Sequence, residues 1–198
     1  MHPTKIRGRS IRQYLTLLFG LVWIPSALAL TPVVGFELDR YLGTWYEIAA
    51  IPGFLQSRCA RDTGAEYTAA ENGAIAFSNH CVRADGTEER SESRARALEP
   101  VLPSVLKITS VHFLGIWWYP LGRESIVIAF DPGYRWVATA HPSLRYGRIL
   151  AREPSLPDES LKSIAATLAD EGFDLCTFVV TPQTGGRDHP AKLCEVLR

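Results

Sequence analysis

The sequence LGTWYEIAAIPGF, from Leu42 to Phe54, has the composition of a β-strand that ends in a turn. Aromatic and β-branched residues are enriched in strands, and the Pro-Gly pair at positions 52–53 interrupts the run. Side chains alternate between the two faces of a strand, so Trp45, Glu47 and Ala49 are predicted to share one face. Gly43 has no Cβ, which allows a close approach of another segment. The stretch therefore predicts a first strand, over residues 44–51, with a glutamate beside a tryptophan.

Seven further segments have the same character. They are short, rich in strand-forming residues or alternating, and they cover residues 63–70, 74–80, 91–98, 105–111, 125–130, 135–140 and 146–151. Turn signals separate them: Asn72-Gly73 and Asp85-Gly86 supply positive φ for tight hairpins, and Pro132-Gly133 favours a turn. Strands joined in this way run antiparallel in chain order.

One helix is predicted after the strands. Ser155 and Asp158 have the spacing of a capping box, and Gly172 is placed to end the helix. Its apolar residues recur at helical intervals on one face: Leu161, Ile164, Ala165 and Leu168. A short ninth strand is predicted over residues 175–181. Together these elements predict an all-β fold, an eight-stranded antiparallel up-and-down β-barrel with one C-terminal α-helix packed outside.

The first 29 residues have the organisation of a secretory signal peptide. Four basic residues lie between positions 5 and 12, an apolar stretch covers residues 14–24, and Ala27-Leu28-Ala29 is a small-residue cleavage site. An uncleaved membrane anchor is the alternative. No cysteine follows the apolar stretch, which argues against a lipoprotein anchor. We expect a single domain over residues 30–198 that is periplasmic or secreted, with association with the outer membrane as a further option.

Composition and motifs exclude several classes of function. The chain has 21 basic and 21 acidic residues, so no overall field attracts nucleic acid. Hydrolase, nucleotide-binding and metalloprotease motifs are absent, and the histidines lack the spacing of metal ligands. The sequence therefore predicts no enzyme activity, no cofactor and no metal site.

Three separated motifs give the chain a resemblance to the lipocalin family. They are Gly43-Thr44-Trp45-Tyr46-Glu47, Asp131-Pro132-Gly133-Tyr134 and Ile149-Leu150-Ala151-Arg152, in this order and followed by the helix. The run 130–152 is similar to the bacterial branch, which includes outer-membrane, apolipoprotein D-like lipocalins. The resemblance implies a barrel of the calycin type that holds a small hydrophobic ligand. It also implies that Gly43, Trp45, Asp131, Tyr134 and Arg152 are structural, with Arg152 lying across Trp45 at the closed end.

The meander then assigns each loop to one end of the barrel. If the first strand rises from the closed end, the first, third, fifth and seventh connections lie at the open mouth. The four cysteines of an exported chain predict two disulfides. Cys59 and Cys81 fall at the mouth end of neighbouring strands, which favours Cys59–Cys81 with Cys176–Cys194. A runner-up, similar to apolipoprotein D, joins Cys59 to Cys194.

Two mouth loops are rich in apolar residues. The first contains Phe54, and the fifth contains Trp117, Trp118 and Tyr119 after Phe113. The loops either pack on themselves over the barrel, form a gate through which an acyl chain enters, or contact a lipid surface. Under the gate hypothesis Phe54, Trp117, Trp118 and Tyr119 bind ligand.

Glu47 and Arg148 are the charges predicted to lie inside the barrel. Arg148 shares one face of the eighth strand with Leu150 and Arg152. The two charges either pair with each other or reach solvent, or Arg148 contacts an anionic head group. We expect a protein that carries, stores or scavenges a fatty acid or lysophospholipid in the cell envelope. The alternatives are a filled barrel that acts as a protein-interaction module, and a thiol-dependent isomerase or synthase at Cys59.

Overall fold

A computed structural model describes residues 30–53 and 58–198. Its strands are β1 Gly43–Ala50, β2 Cys59–Ala69, β3 Ile75–Arg83, β4 Glu88–Glu99, β5 Leu102–Thr109, β6 His112–Phe113, β7 Ile116–Trp117, β8 Arg123–Phe130, β9 Trp136–Ala140, β10 Gly147–Ala151 and β11 Val179–Val180. Its α-helices are α1 Leu38–Tyr41, α2 Asp158–Asp170 and α3 Leu193–Val196. The predicted signal peptide and Phe54 lie outside the described residues.

Eight strands form a closed antiparallel barrel. Their order is β1, β2, β3, β4, β5, β8, β9 and β10, and β10 pairs with β1 to close it, with Tyr46 opposite Ala151. All eight predicted strands and their meander are confirmed. Asn72 and Gly73 have φ angles of 56° and 69°, as a tight turn between β2 and β3 requires. Strands β6 and β7 form a separate hairpin inserted at the mouth between β5 and β8.

After Glu47, a β-bulge changes which side chains of β1 point into the barrel. Glu47 lies opposite Leu150, which belongs to the interior core, whereas Ala49 lies opposite Ile149, which packs under α2. The register shifts between these two pairs, since the extra residue of a bulge interrupts strict alternation. The prediction that Ala49 shares a face with Trp45 and Glu47 is therefore wrong for Ala49.

Helix α2 packs on the outer wall with the predicted face buried, that is Leu161, Ile164, Ala165 and Leu168. Gly172, at φ 90°, ends it: the Gly172 N–H donates to Ala169 O and the Phe173 N–H donates to Leu168 O, both at 3.0 Å. The predicted Ser155 cap is wrong, because the helix begins at Asp158 after Pro157. A residue before proline is disfavoured in the α conformation, so Leu156 cannot extend the helix backwards.

The two disulfides have the pairing that the sequence favoured. Cys59–Cys81 has its Cα atoms 5.6 Å apart and Cys176–Cys194 has them 5.0 Å apart, which excludes the runner-up. The segment around Cys176 is only partly a strand, in contrast to the prediction for residues 175–181. Residues Leu175–Thr177 form a 3₁₀ turn capped by Asp174, and only Val179–Val180 pair with β1.

The apolar core is divided by the barrel wall. One cluster fills the space between the wall and α2, and the other fills the closed end of the barrel around Trp45, Tyr67, Phe77 and Leu150. Within the described residues, no helix has the length and apolar character needed to cross a membrane.

Candidate ligand-binding site

The closed end is sealed by Trp45 and Arg152. Trp45 is fully buried, its Nε1–H donates to Tyr41 O at 2.7 Å, and the Arg152 guanidinium carbon lies 3.8 Å from the centre of its ring. Arg152 also donates to the backbone carbonyls of Arg40, Leu42 and Thr44. A guanidinium over an indole face is a favourable cation–π arrangement. The pair fixes the segment before β1 across the base of the barrel.

Gly43 makes this arrangement possible. Its φ is 98°, in the region that disfavours side chains, and a Cβ there would lie 3.2 Å from Arg152 Nη1.

Asp131 and Tyr134 organise the neighbouring β8–β9 turn. Arg135 donates to both Asp131 carboxylate oxygens, and the Glu37 N–H donates to Tyr134 Oη at 2.6 Å. The hydrogen bonds from Arg135 are the main reason that the pKa of Asp131 is lowered.

Above this seal the barrel encloses a cavity of about 270 Å³. Its floor is largely apolar and aromatic, and includes Tyr41, Tyr67, Phe77, Ala95, Leu106 and Ile108. The Tyr67 and Phe77 rings stack with their centres 5.0 Å apart. Burial is the main reason that the pKa of Tyr41 and of Tyr67 is raised, so both side chains are neutral phenols at pH 7. The floor thus has the chemistry of a site for an apolar group.

The upper part of the cavity is polar. Its lining includes Thr63, Asn79, Ser91, Ser93, Ser110, Ser125, Thr139 and Tyr146, and charges of both signs reach it: Glu89, Arg90, Arg123, Glu124 and Arg148. Glu89 accepts from Arg83 at 2.6 Å. Burial and the nearby Arg90 lower the pKa of His80, so this rim histidine is neutral at pH 7. The cavity is therefore amphipathic along its axis.

Arg148 is the most buried charge in the lining. Its Nε donates to Glu47 Oε2 at 2.7 Å, and the exposed fractions of the two side chains are 10% and 3%. Burial alone disfavours the charged form, but interactions with Tyr146, Glu47 and Tyr67 outweigh it and raise the pKa of Arg148 well above its ordinary value. The sequence left open whether Arg148 pairs with Glu47 or contacts a ligand. The pair exists, and the guanidinium still borders the cavity.

Two residues that follow the barrel strands and helix α2 in the chain hold Glu47 in place. Thr181 Oγ1 donates to Glu47 Oε1 at 2.9 Å, and Gln183 Nε2 donates to the backbone oxygens of Glu47 and Thr63. Sequence reasoning missed both, because their contacts span 120 or more positions and no local motif marks them. The cavity-lining residues of β2–β5 were missed as well, although the alternation of buried and exposed residues along these strands could have identified them.

The aromatic residues of the predicted gate, Trp117, Trp118 and Tyr119, lie away from the cavity. Arg94 and Arg96 alternate on β4 with Ala95, which faces the interior, so they project from the outer wall. The Arg94 guanidinium lies 5.3 Å from the centre of the Trp117 ring, and that of Arg96 lies 4.4 Å from the Tyr119 ring. Neither ring borders the cavity, and Trp118 does not border it either. These three residues lie outside the lining of the cavity, and the contacts of Arg94 and Arg96 hold their loop against the outer wall, so their role in ligand binding stays a prediction.

The described residues contain no group of three or more His, Cys, Asp or Glu side chains able to hold a metal ion. The four cysteines all form disulfides.

The barrel, its sealed base and its internal cavity define the lipocalin class of folds, and comparisons with known proteins agree. Residues 36–183 match the lipocalin-like domain family, so the chain belongs to the lipocalins. It is 32% identical to the outer membrane lipoprotein Blc of Escherichia coli K12 over 156 residues, which is 78% of this chain and 84% of Blc. It is 30% identical to the temperature-induced lipocalin-1 of Arabidopsis thaliana, over 77% of this chain and 82% of that protein.

The same comparison finds 30% identity to apolipoprotein D of Macaca fascicularis, over 75% of this chain and 77% of the relative. Among solved structures, insecticyanin from the tobacco hornworm Manduca sexta superposes with a TM-score of 0.60 at 20% identity, over 80% of this chain and 89% of that one. This last similarity supports the fold alone. Membership of the family supports binding of a small hydrophobic ligand.

Proposed function

We propose that the protein binds a single-chain anionic amphiphile, a fatty acid or a lysophospholipid, with the apolar chain on the cavity floor and the head group near Arg148. The observation that carries this proposal is the arrangement of one cavity with an aromatic floor and a buried guanidinium in its polar upper part. Arginine suits carboxylate and phosphate groups because its planar donors match their oxygens. A filled barrel that serves only as an interaction module is disfavoured by the open cavity.

The cavity volume limits the ligand. At about 30 Å³ for a water-sized or methylene-sized group, 270 Å³ accommodates about nine such groups. Burial of nine methylenes contributes about 7 kcal/mol at ~0.8 kcal/mol each, before the cost of immobilising the ligand. Because 7 kcal/mol corresponds to about 10 μM before that cost, we expect dissociation constants no tighter than about 10 μM for a medium-length chain held by apolar contacts alone. A longer chain would extend through the mouth.

The proposed role is carriage, storage or scavenging in the cell envelope. Two disulfides suit an oxidising compartment, and one relative is named as an outer membrane lipoprotein. A binding role is favoured over a catalytic one. An isomerase or synthase built on Cys59 would need a free thiolate, whereas Cys59 is bonded to Cys81.

A cavity-filling variant tests the proposal. Ala95 is buried on the floor, so Ala95→Leu places three additional carbon atoms in the ligand's volume. Ala76→Leu is the matched control, because Ala76 lies on the opposite face of the adjacent β3 from the interior residues Ile75 and Phe77. Titration with a fluorescent fatty acid should show at least a tenfold weaker Kd for Ala95→Leu and an unchanged Kd for the control. Equal affinity of both variants and the unmodified protein would contradict binding in this cavity.

A further inference from the structure

The C-terminal chain closes a gap between β1 and β2 near the mouth of the barrel. The ladder that joins β1 to β2 covers only the first half of β1, and the second half pairs with β11 instead. The strap, residues 181–184 directly after β11, continues between the two strands. The Thr181 N–H donates to Ile48 O at 3.0 Å, and the Asp62 N–H donates to Pro182 O at 2.9 Å. The strap is therefore part of the barrel wall.

Gln183 of the strap joins the two strands through its side chain. It is buried, and its Nε2 donates to Glu47 O at 2.8 Å and to Thr63 O at 2.7 Å. Both carbonyls lie at register shifts, one in β1 and one in β2. A buried carbonyl at a bulge needs a partner outside the ladder, and this amide supplies one for each strand. The strap thereby fixes the backbone of Glu47.

Thr181 fixes the carboxylate of the same glutamate. Its Oγ1 donates to Glu47 Oε1 at 2.9 Å, while Glu47 Oε2 accepts from Arg148 Nε at 2.7 Å. The two oxygens are thus directed to different partners. An arginine and a carboxylate frequently form a bidentate pair with two parallel N–H···O bonds. The Thr181 hydroxyl holds Glu47 in the alternative arrangement, in which the carboxylate meets the guanidinium at Nε.

This arrangement keeps the terminal N–H groups of Arg148 for the cavity that the residue borders. Nη1 makes a long hydrogen bond, at 3.5 Å, to Tyr146 Oη. Among the residues that the structure describes, no hydrogen bond uses Nη2. A planar guanidinium with terminal donors of this kind matches the oxygens of a carboxylate or phosphate. The contact between Thr181 and Glu47 therefore bears on what Arg148 offers to a ligand.

We propose that Thr181 is a positioning residue for ligand selection: by engaging one oxygen of Glu47, it keeps the terminal N–H groups of Arg148 for an anionic head group. Without the hydroxyl, the carboxylate rotates and takes a second N–H from Arg148, and the ligand loses a donor. The inference rests on the proposed function, since it requires the head group to lie at Arg148. It adds that selection for a negative charge is controlled from the strap, 134 positions from Glu47 in the chain.

Thr181→Val tests the proposal, because it removes the hydroxyl and keeps a β-branched side chain. The backbone N–H of residue 181 still donates to Ile48 O, so β11 stays in place. Calorimetric titration at pH 7 compares decanoate, which is ionised, with decan-1-ol, which differs only in its head group. The preference for decanoate should fall about tenfold in the variant, as expected for one lost charge-assisted hydrogen bond, with the affinity for decanol unchanged. Thr181→Ser restores the hydroxyl and should recover the preference.

Thr184→Val is the matched control. Thr184 lies on the same strap, but its hydroxyl donates to Asp62 Oδ2 at 3.0 Å and not to Glu47. The preference for decanoate should be unchanged in this variant. An unchanged preference in Thr181→Val, or an equal loss of affinity for both ligands, would overturn the positioning role and leave the proposed function intact. Equal affinity of the unmodified protein for the two ligands would contradict the head-group site itself.

Nuclear magnetic resonance of the isotope-labelled protein without ligand separates these failures. The guanidinium signals of Arg148 are identified by their absence from Arg148→Met. Slowly exchanging Nη–H groups should appear in Thr181→Val, because Glu47 then accepts two N–H groups, and not in the unmodified protein or Thr184→Val. The same Nη–H exchange in all three proteins would overturn the inference whatever the ligand affinities. If circular dichroism shows Thr181→Val to be unfolded, Thr181→Ala lacks the same hydroxyl and should give the same results.

Discussion

Replacement of Arg148 by methionine should destabilise the fold far more than removal of an ordinary surface ion pair. Arg148 and Glu47 are both buried, and their side chains meet at 2.7 Å inside the barrel wall. Methionine retains much of the apolar stem but removes the guanidinium that pairs with the Glu47 carboxylate. Removal of one partner of a buried ion pair costs about 3–5 kcal/mol.

Removal of both charges should restore most of this loss. In Glu47→Gln/Arg148→Met, the amide can still accept from Thr181 and no net charge remains buried. Replacement of a whole buried pair is often close to neutral, so we expect the double variant to lie within about 2 kcal/mol of the unmodified protein. The single variant Glu47→Gln completes the double-mutant cycle, which yields the coupling energy between the two positions.

Urea unfolding followed by circular dichroism measures these differences, and thermal unfolding provides a check at ~2–4 °C for each kcal/mol. Arg187→Met is the matched control, since Arg187 pairs with Asp158 on the surface at 3.2 Å and both side chains are about half exposed or more. Its cost should be below about 1 kcal/mol. A loss of less than 1 kcal/mol in Arg148→Met, or a double variant as unstable as the single one, would refute a buried, mutually dependent pair.

Three other predictions follow from the closed end and the disulfides. Trp45→Ala should cost about 3–5 kcal/mol in urea unfolding, since a fully buried indole is lost, and unchanged stability would remove its assigned role in the seal. The pKa of Asp131 is lowered in the folded state, so its contribution to stability is present above the ordinary carboxyl pKa and is lost as the pH falls through the lower folded value. Asp131→Asn should therefore have a shallower loss of stability below about pH 4, and a slope equal to that of the unmodified protein would contradict the ion pair with Arg135. Tryptic mapping without reduction should recover peptides linked Cys59 to Cys81 and Cys176 to Cys194, and a Cys59–Cys194 species would contradict the fold at the mouth.

The strands and their order could be predicted because local signals agree with the global fold. Alternation marks each strand, and Asn72-Gly73 marks a hairpin whose backbone has the positive φ angles that these residues tolerate. The buried face of α2 followed from helical spacing in the same way. The bulge that turns Ala49 outward has no such signal, since a single extra residue leaves the composition of the strand unchanged.

The site was harder to predict than the fold. Arg148 and Glu47 could be placed inside from strand parity, but Thr181 and Gln183 reach them from the other end of the chain. The sequence places the aromatic loop at the mouth but does not show which way the loop points. That direction depends on the contacts of Arg94 with Trp117 and of Arg96 with Tyr119, which form only once β4 is paired in the sheet.

Mass spectrometry under native conditions tests most directly whether this lipocalin holds an amphiphile in its barrel, as we propose. Protein purified from its own cells should carry one fatty acid or lysophospholipid for each chain, identified after extraction. The bound species should be lost from Ala95→Leu and retained in Ala76→Leu, because only Ala95 borders the cavity. A ligand-free mass for the unmodified protein that persists after incubation with excess fatty acid would contradict the account.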